Sequence, residues 1–175
     1  SCSDLMLKII NNSKPIIAEI NGVATAAGCQ LVASCDLAYA SSSAKFATPG
    51  VNIGLFCSTP MVAISRNLSN KHSMEMLLTG ELISSDKAAK IGLINNVVEA
   101  NILKDFVLDK AQKISKKSSV TLKIGKEAFY KQLDMKLSDA YDYASKVMVQ
   151  NMLKLDAKEG IDAFIDKREP NWKDK

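Results

Sequence analysis

The residues of this chain best placed to do chemistry carry almost no side chain. "NGVATAAGCQLVASCD", residues 21–36, follows an apolar segment and packs small residues into what reads as the opening of a helix. A helix starting near Ala26 to Gly28 leaves its first backbone N–H groups without intrahelical partners. Those donors, with the positive end of the helix dipole, favour an anion or an oxygen gaining negative charge. Small side chains let a ligand carbonyl come within hydrogen-bond distance, and each donor aimed at an enolate oxygen can lower a barrier by about 3–4 kcal/mol. The competing reading is close packing of helices, which alanines also permit. No Walker lysine follows Gly28 and G-x-G-x-x-G is absent, so a nucleotide phosphate loop is excluded.

Other reactive side chains are few. Cys2, Cys29, Cys35 and Cys57 form neither a C-x-x-C pair nor a disulfide framework, and His72 is the only histidine. No metal site is expected. His72 and Glu75 stand three apart, as a solvated helix face would have them. Cys57, in "LFCSTP", has no histidine beside it in the sequence to activate it as a nucleophile.

The elements that must position these residues belong to an ordinary globular chain. It has 175 residues, 47% hydrophobic and 24% charged, with a net charge of +4. The charge is spread over lysines, and Arg66 and Arg168 are the only arginines, which argues against nucleic-acid binding. No apolar run approaches the roughly 18 residues of a membrane span. "LMLKII" reads as the end of a helix and "KPIIAEIN" as a strand; "DLAYA" and "AKFATPG" read as two more.

From Thr59 the pattern turns helical. Pro60 suits a first helical turn, Gly80 and Gly92 read as helix stops, and Ser84 or Ser85 as an N-cap. "LINNVVE" reads as a short strand, and apolar stripes run after it through residues 102–114, 122–133 and 140–155. The Met148/Met152 stripe reads as core or subunit interface. Asp156 and Glu159 have capping-box spacing at the start of a last helix. An α/β front, residues 1–100, and then a helical region, 101–175, is the division expected.

"KPIIAEINGVATAAGCQLVASCDLAYASSSAKFATPGVNIG" resembles the signature of the crotonase (enoyl-CoA hydratase/isomerase) superfamily. "LTGELISSDKAAKIGLINNVVE" is similar to the next segment of that family, and "EGIDAFIDKREPNW" to its C-terminal helix. The resemblance implies a repeated ββα spiral with a C-terminal helical region that trimerises. It also implies that the family's opening strands, with one of its two oxyanion donors, lie outside these residues.

By the same resemblance Ala27 supplies a backbone oxyanion donor, with Gly28 beside it in the substrate site. Gln30 and Gly50 stand where hydratases carry their two catalytic glutamates. A neutral amide and a bare backbone cannot move protons, so ordinary hydration is not expected. Two readings of Gln30 stand, a ligand- or water-binding amide and a helix amide satisfied internally. Gly50 either opens a cavity for water, an anion or a bulky acyl group, or is a plain turn glycine. Cys57 comes near the acyl group, and Phe164 and Lys167 match positions that reach the CoA adenine and phosphates.

The resemblance therefore implies an acyl-CoA-binding protein of fatty-acid metabolism, with acyl-CoA as substrate or ligand and no separate cofactor. A homotrimer or dimer of trimers is implied, in the mitochondrial matrix of a eukaryote or the cytoplasm of a bacterium. The alternative is a catalytically silent acyl-CoA-binding protein with a regulatory or assembly role.

Overall fold

The computed structural model describes all 175 residues, Ser1–Lys175. They divide into two compact units, one of Ser1–Ile10 with Ile16–Ala111 and one of Asn11–Pro15 with Gln112–Lys175.

The first unit begins with α1 (Cys2–Ile10), which buries Met6 and Ile9. Strands β1 (Ile17–Ile20) and β2 (Val23–Thr25) flank the Asn21-Gly22 turn and lead into α2 (Ala27–Ser34). The pattern then repeats. Strands β3 (Leu37–Ser41) and β4 (Lys45–Ala47) lead through a 3-10 turn, Pro49–Ile53, to α3 (Ser58–Ile64) and α4 (Asn70–Thr79). A third turn of chain adds β5 (Ile83–Ser84), α5 (Ser85–Ile91) and β6 (Asn96–Val98). Each turn lays its strands beside those of the turn before. One sheet runs β1-β3-β6, all parallel, and the other runs β2-β4-β5, with only β5 antiparallel.

Parallel strands covered on their faces should be apolar throughout. Accordingly Ala40, Ala44, Phe46, Ile64 and Ala88 are fully buried in one cluster with Cys29, Met76 and Leu93. A second cluster joins Tyr39, Val98, Leu103 and Val107, and Phe106 meets Tyr39 edge-on at 5.2 Å between ring centroids.

The helix boundaries obey local chemistry. Ser84 caps α5 by accepting the Lys87 N–H, and Gly92 ends it at φ 89°. Gly80 ends α4 at φ 63°, where a Cβ would also meet Val51 and Pro49 at 3.0 and 3.1 Å, so no other residue fits without strain. The His72/Glu75 pair does not form. His72 Nδ1 lies 3.1 Å from Ser69 Oγ, and Glu75 pairs with Lys87.

Helix α6 (Leu103–Ser115) carries the chain into the second unit, which holds α7 (Ser119–Gln132), α8 (Leu137–Met152) and α9 (Leu155–Ile165). Here one expectation is corrected. Asp156 and Glu159 form no capping box: the N-cap is Lys154, with no side-chain cap. The buried Asp156 carboxylate instead accepts the backbone N–H groups of Lys173 and Asp174 at 2.7 and 3.1 Å. Glu159 takes the Arg168 guanidinium at 2.7 and 3.0 Å and the Asn171 N–H at 2.7 Å.

The tail after α9 is thereby strapped down. Trp172 adds to it by donating Nε1–H to the Lys116 carbonyl and packing over Gly160, where a Cβ would come within 3.2 Å of its ring. Of the two readings of the methionine stripe, core or subunit interface, exposure removes the first. Met148 and Met152 are 60% and 61% exposed, so they are not core in this chain.

Candidate functional site

The head of α2 is built by one unusual residue. Ala26 adopts φ 48° and ψ −113°, a region that ordinarily belongs to glycine, and donates its N–H to the Ala47 carbonyl at 3.0 Å. The first N–H accepted within the helix is that of Gln30, by Ala26 O at 3.0 Å. The amides of Ala27, Gly28 and Cys29 therefore precede the first helical hydrogen bond. Ala27 is exposed, and a Cβ on Gly28 would meet only the Ala24 methyl at 3.9 Å. An acceptor oxygen can reach the Ala27 and Gly28 donors without obstruction by side chains, whereas Cys29 is sealed in the core. Strain held at such a position is often a sign of function. Its relief is measurable: Ala26→Gly is expected to raise stability by about 1 kcal/mol in urea denaturation.

The side chains around this head face inward. Cys29 has no exposed surface, and burial, with the nearby Cys57 thiol adding to it, pushes its thiol up to about 12. Gln30 is only 4% exposed, and its Oε1 accepts from the Cys2 thiol at 3.8 Å, while its carbonyl takes the Ser34 hydroxyl at 2.8 Å. Its side-chain oxygen is thus satisfied by a cysteine from α1, a partner that sequence spacing does not reveal.

Gly50 lies in the 3-10 turn Pro49–Ile53, shortly after the Ala47 whose carbonyl accepts the Ala26 N–H. It opens no cavity. A Cβ there would meet the Leu55 carbonyl oxygen at 2.6 Å and Cys57 Sγ at 2.9 Å. The close approach is fixed by the Leu55 N–H bonding to Gly50 O at 2.9 Å. The turn is anchored from beneath by the buried Thr48 hydroxyl, which donates to Met76 O at 2.8 Å. Cys57 is buried against this loop and stands at the N-cap position of α3. Sequence reasoning identifies neither Thr48 nor Gly80 as a support of this loop, although the helix stop at Gly80 marks one of them.

Phe164 and Lys167 lie on α9 and just past its end, in the second unit. Phe164 is 85% exposed, which rules out the core position its apolar character would suggest. Lys167 is exposed and sits at φ 54°, directly before the Arg168 that grips Glu159. No group of three or more potential metal ligands exists, and no helix is long and apolar enough to cross a membrane.

The enoyl-CoA hydratase/isomerase family model matches residues 1–175. The chain belongs to that family. Within the enoyl-CoA hydratase/isomerase family it is 52% identical over 172 residues to mitochondrial enoyl-CoA hydratase domain-containing protein 3 of Rattus norvegicus, covering 98% of this chain and 57% of the relative. It is 33% identical over 162 residues to mitochondrial enoyl-CoA hydratase of Pongo abelii, covering 92% and 56%. The chain thus spans little more than half the length of these family members.

Among solved structures, human enoyl-CoA hydratase domain-containing protein 3 superposes with a TM-score of 0.95 at 50% identity, covering 98% of this chain and 68% of that one. An enoyl-CoA hydratase from Mycobacterium smegmatis gives 0.96 at 47%, covering 98% and 66%. The crotonase-like α/β fold of the family is therefore the fold of this chain.

Proposed function

We propose that this chain binds an acyl-CoA thioester and polarises the thioester carbonyl but does not hydrate enoyl groups with a pair of carboxylates. The observation that carries the reading is the α2 head, where Ala26 at φ 48° leaves the Ala27, Gly28 and Cys29 amides ahead of the first helical bond. Donors of this kind stabilise an oxygen as it gains charge. Gln30 has no titratable proton, and Gly50 has no side chain, so the two positions matching hydratase glutamates supply neither acid nor base. Lys167 and Phe164 are the residues proposed to meet the CoA phosphates and adenine, an ammonium suiting a phosphate and an exposed ring suiting a base.

The packing around Gly50 favours a second reading, that the protein binds acyl-CoA without turning it over. The Leu55 carbonyl and Cys57 fill the space from which a catalytic side chain would have to start. The exposed α8 face of Met148, Val149 and Met152 supports a homotrimer, since an apolar helix face of this kind is normally covered by a partner. The mitochondrial names of the relatives support a mitochondrial location.

Calorimetric titration of the full-length protein with butyryl-CoA tests the reading. Saturable binding is expected, weakened about tenfold by Lys167→Ala through loss of a charge-assisted phosphate contact. Absence of any heat at millimolar butyryl-CoA, at two temperatures, would remove it.

A further inference from the structure

The helical unit contains a cleft of about 610 Å³, within the range of small-ligand pockets. Its walls come from the first turns of α7, the end of α8 and the strapped tail. Val120, Ile124 and Leu153 are its apolar lining residues, and Lys123, Lys154 and Lys175 its basic ones. The one acidic side chain in the lining is Asp174, whose Oδ1 accepts the Ser119 N–H at 2.8 Å; the three lysines outnumber it. Lys154 also stands at the head of α9, where no side chain caps the helix, so the positive end of that dipole adds to the field. The tail wall is fixed, because Asp156 holds the backbone of Lys173 and Asp174.

We propose that this cleft binds an amphiphilic anion, a carboxylate or phosphate carrying a short apolar tail. The anion sits among the lysine ammoniums, and the tail lies along Val120, Ile124 and Leu153. Charge and apolar surface are both required: either alone would leave half of the lining unmatched. The site belongs wholly to the helical unit and uses none of the residues assigned to the thioester. It therefore stands or falls independently of the thioester reading.

Equilibrium dialysis of the 175-residue chain against radiolabelled octanoate tests the proposal. One saturable site is expected, half-filled at about 1 mM or below. Octyl phosphate should compete as well as octanoate, which would show that the shared chemistry is the anion with its tail. Octanol and inorganic phosphate should each need at least about tenfold higher concentration. Lys123→Gln with Lys154→Gln should weaken octanoate at least about tenfold. Leu153→Glu, at a position 80% exposed and so harmless to folding, should abolish the site and serves in place of the lysine variant if that one fails to fold.

Lack of saturable uptake to about 10 mM, equal competition by octanol or inorganic phosphate, or unchanged affinity in the folded variants would each overturn the proposal.

Discussion

Placing glutamates at both positions, Gln30→Glu with Gly50→Glu, is expected to yield no measurable crotonyl-CoA hydration and to lower the stability of the protein. The reason lies at Gly50. The first carbon of any side chain would fall 2.6 Å from the Leu55 carbonyl oxygen and 2.9 Å from Cys57 Sγ. The nearer of these is backbone, held by its own N–H bond to Gly50, and cannot turn aside as a flexible side chain would. Overpacking of this kind costs about 1–3 kcal/mol, and a carboxylate placed against a carbonyl adds a desolvation and repulsion cost.

Glutamate at position 30 fares little better, because that site is buried and its one side-chain partner is the weak Cys2 thiol. Burial raises a carboxyl pKa and keeps it neutral. Hydration in the double variant should stay at least about a thousandfold below that of glutamate-bearing relatives, since general acid–base groups contribute about 10²–10⁴. Gly50→Ala separates the clash from the charge and should lose about 2 kcal/mol in urea denaturation. A fully stable Gly50→Ala together with brisk hydration by the double variant would show that the 50–57 loop yields and that the pocket was only waiting for its acids.

The second large effect concerns Asp156. Its side chain is buried, yet it is held below the usual carboxylate range. Burial pushes it upward, and the hydrogen bonds from the Ser118 hydroxyl and from the Lys173 and Asp174 amides more than offset that push. Asp156→Ala would leave those donors unmatched in the interior and detach the tail, a loss of about 3 kcal/mol. Trp172 is the only tryptophan and lies in this tail, so its emission tracks the loss directly during denaturation.

The same carboxylates dictate a pH response. Both Asp156 and Glu159 are lowered in the folded chain, Glu159 to about 2 by the Arg168 guanidinium and the Asn171 amide. Unfolded carboxyls titrate near 4, so their stabilisation is complete above that value. It is lost as pH falls from about 4.5 toward 2, for Glu159, with Asp156 contributing in the same direction. Wild type should show a falling denaturation midpoint across this window, and Asp156→Ala a shallower fall. A wild-type midpoint that is flat below pH 4.5, or a variant as stable as wild type, would contradict the strap's role.

Much of the fold is legible because its signals are local. Gly80 and Gly92 stop helices by adopting positive φ, and Ser84 caps by reaching its own third neighbour, so a few residues of sequence contain the whole argument. Strands β1, β3, β4 and β6 can be read for the same reason, whereas β2 and β5 run only three and two residues, too short to show a period, and the ββα order comes from the family resemblance alone. Long-range partners decide what local reading misses. Asp156 and Glu159 have the spacing of a capping box, but Arg168, Asn171 and the amides of Lys173 and Asp174 claim them first. Gly50 looks like a turn glycine or an opening until the Leu55 carbonyl folds back on it. The period of the Met148/Met152 stripe marks an apolar face without saying what faces it.

Cys29 shows what the first turn of α2 must avoid as well as what it offers. A thioester is an acylating agent, and a thiolate two residues from Ala27 would capture the acyl group and silence the protein by self-acylation. With its sulfur sealed in the core and its acidity near 12, Cys29 is ionised in on the order of one molecule in ten thousand or fewer at neutral pH. Under the proposed function, the Ala27 and Gly28 amides face the visiting carbonyl, while the sulfur on the same turn is withheld from it.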